Sequence, residues 1–191
     1  MSEEKIIDIF KKTGALLDGH FVLTSGRHSS SYFQCAKVLQ YPKYLSRFAQ
    51  SIANNFINSD IDVVISPAIG GIVLGTEVGS LLNVKTIFAE RKKGYMCIRR
   101  GFEIKENDKV LLIEDVITTG GSVKETINEV IKLGCKISGV GVLVDRSNGQ
   151  AKLHKNQFSI IELEAVSFEP DKVPDRLKDI PIQKPGSRNI Q

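Results

Sequence analysis

The stretch VLLIEDVITTGGS, residues 110–122, determines how the rest of the chain is interpreted. Its four leading apolar residues predict a buried strand, and two adjacent carboxylates, Glu114 and Asp115, follow at the end of that strand. The Thr/Gly/Ser turn after them predicts the start of a helix. Backbone N–H groups, hydroxyls and the positive end of a helix favour a bound anion, so the turn predicts a phosphate site. Because no lysine follows the glycines, the turn is not a Walker A loop.

The carboxylate pair beside this turn indicates what else the site would hold. Two acids repel a phosphate, so they need a second role, and both sugar hydroxyls and Mg²⁺ bind well to carboxylates. Glu114 and Asp115 therefore predict a ligand that combines a ribose diol with a phosphate, which together describe ribose 5-phosphate. Mg²⁺ is expected to be carried by the substrate, with Asp115 as a candidate protein contact. The alternative is an ordinary strand-turn-helix with two solvated acids.

On either side of this stretch, short apolar strands alternate with helices. Further strands are predicted over 62–66, 84–89, 137–144 and 158–166. Helices are predicted over about 70–82 and 121–133, the second with its apolar side chains facing inward at Val123, Ile127, Val130 and Ile131. Strands this apolar indicate an α/β fold with a mostly parallel sheet that helices flank. Ligands bind beyond the carboxyl ends of such strands, where four polar segments would converge: 66–71, 90–101, 114–122 and 145–149.

The length of 191 residues fits a single domain. An N-terminal region over about 1–40 contains a helix at 3–12, with Ile6, Ile9 and Phe10 on one face, and then a polar, serine-rich stretch. The α/β core is expected over about 60–166. The segment 170–191 carries four of the six prolines and is expected to form a C-terminal tail.

Composition argues against several classes of protein. Apolar residues make up 41% and charged residues 25%, as in ordinary globular proteins. No apolar run approaches the roughly 18–20 residues of a membrane span, and the acidic, amphipathic start lacks the features of a signal peptide. A cytoplasmic protein without a membrane partner is therefore expected. The three cysteines and three histidines are scattered, so neither a disulfide framework nor a metal cluster is expected.

The net charge of +4 is concentrated in one segment. Five cations and no acid occur between positions 91 and 101, namely Arg91, Lys92, Lys93, Arg99 and Arg100. No long basic tract exists, so a nucleic-acid partner is not expected. The local excess is typical of a site for a small polyanionic substrate, and the alternative is a solvated basic face.

Residues 110–122 resemble the phosphoribosyl-pyrophosphate signature of the type I phosphoribosyltransferases, and the strand–helix order over about 60–145 is similar as well. In that family the two acids hold the ribose hydroxyls and the turn holds the 5′-phosphate. The resemblance implies that phosphoribosyl pyrophosphate binds to Glu114, Asp115, Val116, Ile117, Thr118, Thr119, Gly120, Gly121 and Ser122, together with Arg91 and Lys92.

Further features resemble one branch, the orotate phosphoribosyltransferases. The segment TSGRHS at 24–29, with Tyr32 and Phe33 after it, is similar to the branch's hood over the base. Arg146 stands where the branch uses an arginine for the orotate carboxylate, which a guanidinium fork can bind with two hydrogen bonds. The resemblance implies that orotate contacts Thr118, Arg146 and Phe33.

Three segments depart from the branch. Ile69 and Gly70 stand where many of its members carry Tyr-Lys, and Thr24 replaces a frequent lysine. Arg91 and Lys92 match the start of the branch's flexible catalytic loop, but its later Lys and His fall on Tyr95 and Cys97. Lys93, Arg99 and Arg100 are the candidates to supply that charge instead.

The resemblance implies a glycosyltransferase of pyrimidine biosynthesis. It would move ribose 5-phosphate from phosphoribosyl pyrophosphate to orotate with Mg²⁺, giving orotidine 5′-monophosphate and pyrophosphate. Arg91, Lys92 and Asp115 would be its catalytic residues, and a homodimer is implied in which the loop 91–101 reaches the partner's site. Two alternatives remain, a purine phosphoribosyltransferase and a non-catalytic regulator that senses phosphoribosyl pyrophosphate.

Overall fold

The computed structural model describes residues 1–23, 26–163 and 166–183. Thr24 and Ser25 of the predicted hood, and residues 184–191 of the predicted tail, lie outside the described residues. The elements in chain order are α1 (Glu3–Thr13), β1 (Leu16–Val22), β2 (His28–Phe33), α2 (Ala36–Leu39), α3 (Pro42–Phe56), β3 (Val63–Pro67), α4 (Gly70–Leu82), β4 (Lys85–Lys92), β5 (Tyr95–Ile98), β6 (Lys109–Ile117), α5 (Gly121–Lys132), β7 (Lys136–Asp145), β8 (Gln157–Glu162), β9 (Ser167–Phe168), a 3-10 turn (Pro170–Lys172), α6 (Asp175–Lys178) and β10 (Ile182–Gln183).

The chain divides into two compact units, a core unit of Leu39–Leu163 and a terminal unit of Met1–Val38 with Glu164–Gln191. The core unit contains a six-stranded sheet in the order β5-β4-β3-β6-β7-β8. All neighbouring strands in it are parallel except β5, which runs antiparallel to β4. Helices α3, α4 and α5 pack against the sheet. The predicted α/β fold with a mostly parallel sheet is confirmed.

Burial explains why these strands form the centre of the core unit. All five residues of β3 are buried, and so are four consecutive residues of β6, 110–113, because both faces of the sheet are covered. In α5, Val123 and Val130 are buried as predicted, but Ile131 is 55% exposed, so its predicted inward position is wrong. Ile131 directly follows Val130, and one residue turns a helix by about 100°, which carries Ile131 off the buried stripe.

The segment 91–101 is largely a β-hairpin, which corrects its prediction as a loop. β4 continues to Lys92, which lies opposite Tyr95 of the returning strand β5. Lys93 and Gly94 form the two-residue turn between them with φ angles of 51° and 87°, and positive φ at both positions characterises the type I′ turn that favours hairpins. Met96 is buried in the core cluster and anchors one face of the hairpin.

The terminal unit contains a four-stranded sheet in the order β10-β1-β2-β9. The predicted helix at the N-terminus is confirmed as α1, which buries its apolar face at Ile6, Ile9 and Phe10. The described part of the predicted tail contributes strand β10 to this same sheet, since Ile182 and Gln183 pair in parallel with β1. In the described part of the chain, no helix combines the length and apolar character that crossing a bilayer would require.

Candidate active site

An open pocket of about 210 Å³ lies where β6 ends and α5 begins. Its lining comes mainly from the connection between these two elements: Arg91, Glu114, Val116, Ile117, Thr118, Thr119, Gly120, Gly121, Ser122, Val123 and Glu125. Every residue predicted to bind phosphoribosyl pyrophosphate lines this pocket except Lys92 and Asp115, which are the chain neighbours of Arg91 and Glu114. The fold therefore brings most of the predicted site together.

The turn at 118–122 has the local geometry of an anion site. Gly120 is the N-cap of α5 with a φ of 72°, and a Cβ at this position would lie 2.4 Å from Leu153 Cδ2. The first hydrogen bond within the helix runs from the Lys124 N–H to the Gly120 carbonyl. The N–H groups of Gly121, Ser122 and Val123 therefore have no acceptor within the helix, and together with its dipole they favour a phosphate.

The two acids lie within β6 rather than after it, because the strand continues to Ile117. Glu114 is 7% exposed, and its Oε1 accepts a hydrogen bond of 3.1 Å from the Asp115 N–H. Burial raises the pKa of Glu114 well above its ordinary value, and the negative charge of Asp115 raises it further. Burial also raises the pKa of Asp115. Ionised acids here are costly without donors or cations, which a ribose diol and Mg²⁺ would supply.

Two glycines at the start of α4 allow close packing against this pair. A Cβ on Gly70 would lie 2.4 Å from Asp115 Oδ2, and a Cβ on Gly71 would lie 2.8 Å from the Ile113 carbonyl oxygen and 3.0 Å from Glu114 Oε1. The first turn of α4 therefore packs against the carboxylates with no side chain between them. The glycine at position 70, noted as a departure in the sequence, leaves the space that the Asp115 carboxylate occupies.

Arg91 lies at the end of β4 and is held by α5. Its Nη1 donates to Glu125 Oε2 at 2.7 Å and its Nη2 donates to Glu125 Oε1 at 2.9 Å. Nη1 also donates to the Gly94 carbonyl at 2.9 Å. The guanidinium is thus fixed at the edge of the pocket by a helix and by the hairpin turn.

The other cations of the basic segment differ in their surroundings. Arg99 and Arg100 both form ion pairs with Glu90, and the Arg100 guanidinium also lies 5.7 Å from the centre of the Phe88 ring. These pairs offset part of the positive charge that the sequence concentrates between 91 and 101. Lys92 and Lys93, at the end of β4 and in the turn, are exposed.

Arg146 follows β7, the strand next to β6. Its backbone N–H donates to the Ile117 carbonyl at 2.8 Å, and its side chain is buried, with 8% exposed. Asp145 before it pairs with Ile117 in the sheet, and its Oδ1 accepts hydrogen bonds from the Ser147 N–H and hydroxyl. The backbone of Arg146, the residue predicted to bind the base, therefore lies beside Ile117, the last residue of β6, and β6 carries the two acids.

The predicted hood residues belong to the terminal unit. The Phe33 ring is 9% exposed and packs edge-on against Phe10 at 6.2 Å between ring centres. Arg27 donates from Nε to the Ser167 hydroxyl at 2.8 Å and forms an ion pair with Glu169. These contacts lie within the terminal unit, so the contact of Phe33 with orotate stays a prediction.

Sequence reasoning missed three contributors to the site. Glu125 carries no signal in the sequence, because only the fold shows that an acid one turn into α5 reaches the end of β4. Leu153 packs behind Gly120, and only the fold brings these two residues together. The Lys93-Gly94 turn carried a hairpin signal, since glycine is favoured where φ is positive, but the basic residues around it suggested a loop.

The candidate donor atoms for a metal ion at this pocket are the carboxylate oxygens of Glu114 and Asp115. Within the described ranges, no group of three or more His, Cys, Asp or Glu side chains could hold an ion by itself. Mg²⁺ commonly takes one or two protein carboxylates and completes its shell with substrate and water oxygens. The carboxylate pair therefore fits an ion that arrives with a phosphorylated substrate.

Comparison with known proteins agrees with this geometry. The family model of the phosphoribosyl transferase domain matches residues 38–174. The chain is 58% identical over 189 residues to an orotate phosphoribosyltransferase of Chlorobaculum parvum, covering 99% of this chain and 98% of that protein. It is 50% identical over 190 residues to an orotate phosphoribosyltransferase of Desulforamulus reducens, with both chains fully covered.

The solved structures give the same fold. The crystal structure of an orotate phosphoribosyltransferase from Aeropyrum pernix matches with a TM-score of 0.70 and 26% identity, covering 83% of this chain and 93% of that one. The signature segment, the pocket built around it and the identity to full-length relatives all agree. The chain belongs to the orotate phosphoribosyltransferases, within the phosphoribosyl transferase domain family.

Proposed function

We propose that the chain transfers ribose 5-phosphate from phosphoribosyl pyrophosphate to N1 of orotate, which gives orotidine 5′-monophosphate and pyrophosphate. The observation that carries this proposal is one pocket in which a phosphate turn, a buried carboxylate and an arginine line the same space. The 5′-phosphate accepts hydrogen bonds from the turn at 118–122. Thr118, at the start of that turn, also contacts the base.

Glu114 and Asp115 accept hydrogen bonds from the ribose 2′- and 3′-hydroxyls. As the bond from C1 to pyrophosphate breaks, positive charge develops on the ribose ring, and carboxylates held at its hydroxyls stabilise that charge. Burial raises the pKa of both acids in the free protein, which favours their neutral form. When the substrate binds, its hydroxyl donors and the accompanying cation favour the ionised form instead.

Negative charge develops on the leaving pyrophosphate at the same time. Arg91, which the structure holds at the pocket edge, and Lys92 beside it donate hydrogen bonds to that group. Mg²⁺, bound to the substrate and contacted by Asp115, would neutralise part of the same charge. Orotate N1 forms the new bond to C1 as the bond to the pyrophosphate oxygen breaks, and the N1 proton passes to the leaving pyrophosphate or to solvent. No covalent intermediate with the protein is needed.

Arg146 binds the orotate carboxylate at C6, next to the attacking nitrogen. A buried guanidinium can make two parallel hydrogen bonds to a carboxylate, and uracil lacks that group. Phe33 is proposed to contact the base.

We further propose that the protein works as a homodimer in which the hairpin tip, with Lys93 and the 79% exposed Tyr95, contacts the partner's site. Mixing the Asp115→Asn and Lys93→Ala variants tests this idea, because Lys93 lies at the hairpin tip. If each site uses Lys93 of the partner, Lys93→Ala alone lowers activity, and some mixed dimers regain a complete site and recover it. A mixture no more active than its components contradicts shared sites.

The activity itself is tested by the loss of orotate absorbance with phosphoribosyl pyrophosphate and Mg²⁺. Parallel reactions contain adenine, hypoxanthine, xanthine or uracil. Orotate should be consumed at least about 100-fold faster than any of them. The other bases lack the carboxylate that the buried Arg146 guanidinium would bind, and losing one member of such a charge pair is costly. Preferred use of a purine would favour a purine phosphoribosyltransferase. Binding of phosphoribosyl pyrophosphate without turnover of any base would favour a sensing regulator.

A further inference from the structure

Glu125 places a carboxylate where the proposed reaction has no obvious use for one. It lines the pocket together with the phosphate turn, although a carboxylate there repels phosphate and pyrophosphate. The ribose hydroxyls are already served by Glu114 and Asp115. The Glu125 side chain is 42% exposed, so core packing does not account for it either.

Within the part of the chain that the structure describes, the Glu125 carboxylate accepts its hydrogen bonds from Arg91. Two parallel hydrogen bonds, of 2.7 and 2.9 Å, join the end of the guanidinium to the two carboxylate oxygens. Such a pair fixes the plane of the guanidinium as well as its position. Exposed ion pairs contribute only about 0–1 kcal/mol to stability, so stability alone is a weak reason for this arrangement.

The remaining donors of Arg91 form a second binding edge. A guanidinium has five N–H groups. Glu125 takes one from Nη1 and one from Nη2, and the Gly94 carbonyl takes the second from Nη1. The Nε–H and the second Nη2–H lie side by side on one edge, and no hydrogen bond within the described residues uses them. Two parallel donors of this kind match two oxygens of a phosphate group.

We propose that Glu125 is a positioning residue for Arg91. It holds the end of the guanidinium so that the Nε–Nη2 edge stays available to the pyrophosphate group. This inference rests on the proposed function, because the contact of Arg91 with pyrophosphate is part of it. The carboxylate costs some repulsion toward the substrate, and the ion pair offsets this because Arg91 neutralises Glu125.

A double-mutant cycle on Glu125 and Arg91 tests the proposal, with kcat and KM measured for phosphoribosyl pyrophosphate. Glu125→Ala should lower kcat about tenfold, and Arg91→Ala should lower it about 100-fold, as for loss of a group that stabilises charge in the transition state. In the Arg91→Ala background, Glu125→Ala should change kcat less than about twofold. Glu125→Gln, which keeps one acceptor oxygen, should retain more activity than Glu125→Ala.

Glu129→Ala is the matched control, because Glu129 lies one turn further along α5 and pairs with Lys132 instead. It should retain wild-type kcat. Equal losses from Glu125→Ala with and without Arg91 would overturn the proposal, since Glu125 would then act independently. So would a gain in kcat or a lower KM, which would make Glu125 a latch that restrains Arg91.

Titration of inorganic pyrophosphate with Mg²⁺ separates failure of this inference from failure of the proposed reaction. Glu125→Ala should weaken pyrophosphate binding about tenfold when Arg91 is present and leave it unchanged in Arg91→Ala. This readout needs no base and no turnover. If the wild type fails to consume orotate, the proposed reaction is wrong while the titration still decides the role of Glu125. If Arg91→Ala has wild-type kcat and pyrophosphate affinity, the positioning role is wrong.

Discussion

Gly120→Ala should weaken both the fold and phosphate binding, because this one residue shapes the turn and packs against the next loop. Its φ of 72° lies in the left-handed region, where an L-residue costs about 1–2 kcal/mol. The new Cβ would also lie 2.4 Å from Leu153 Cδ2, and overpacking of this kind costs typically about 1–3 kcal/mol. The free energy of unfolding should therefore fall by about 2–5 kcal/mol.

Urea unfolding of matched variants measures both contributions. Gly121→Ala is the control, because φ is not positive there and its Cβ would meet only Thr119 Oγ1 at 3.7 Å. Its stability should change by less than about 0.5 kcal/mol. Leu153 packs against the core, so Leu153→Ala has a cost of its own. In a Leu153→Ala background the steric conflict is absent, and Gly120→Ala should therefore show only the backbone cost relative to Leu153→Ala alone. In parallel, KM for phosphoribosyl pyrophosphate should rise about tenfold or more in Gly120→Ala, since the backbone N–H groups of residues 121–123 lose their alignment toward the phosphate. Equal stability of Gly120→Ala and Gly121→Ala would refute the described turn.

Three other substitutions address the acids, the hairpin and the base. Burial raises the pKa of Glu114 in the folded protein, so the wild type loses stability as pH rises above about 4.3, the ordinary pKa of a glutamate in an unfolded chain. Glu114→Gln should therefore be more stable than the wild type at pH 7 but not at pH 4. An equal difference in stability at both pH values would contradict this. Lys92→Ala should lower kcat more than it weakens phosphoribosyl-pyrophosphate binding, and the opposite pattern would make Lys92 a ground-state contact. Arg146→Ala should lower kcat/KM for orotate by about 30-fold or more while phosphoribosyl-pyrophosphate affinity stays unchanged, and equal losses for both would make Arg146 structural.

The core unit could be predicted from sequence because its strands are buried on both faces. Continuous apolar runs such as 110–113 and 140–144 have no alternation and are therefore read directly as central strands of a parallel sheet. The phosphate turn was equally accessible, because every element of an anion site lies within one short segment. Because β7 lies next to β6 in the sheet, Arg146 then falls beside Ile117, the last residue of the strand that carries the acids.

What the sequence did not reveal depends on contacts between distant segments. Glu125 and Arg91 are 34 positions apart, and nothing in the helix pattern of α5 shows that its exposed face meets the end of β4. The hairpin was missed because five clustered cations suggested a loop that binds an anion, whereas Arg99 and Arg100 are paired with Glu90. Nothing in the sequence around Leu153 predicts that it packs against the phosphate turn. The contact depends on Gly120, whose missing side chain leaves the space that Leu153 fills.

The crystal structure of the protein with orotidine 5′-monophosphate tests the central claim most directly. The proposed function predicts the 5′-phosphate on the N–H groups of 118–122, the ribose hydroxyls within hydrogen-bond distance of Glu114 and Asp115, and the orotate carboxylate on the Arg146 guanidinium. A nucleotide bound in this pocket with its phosphate away from the turn, or with Arg146 facing the ribose instead of the base, would contradict the assignment of these groups.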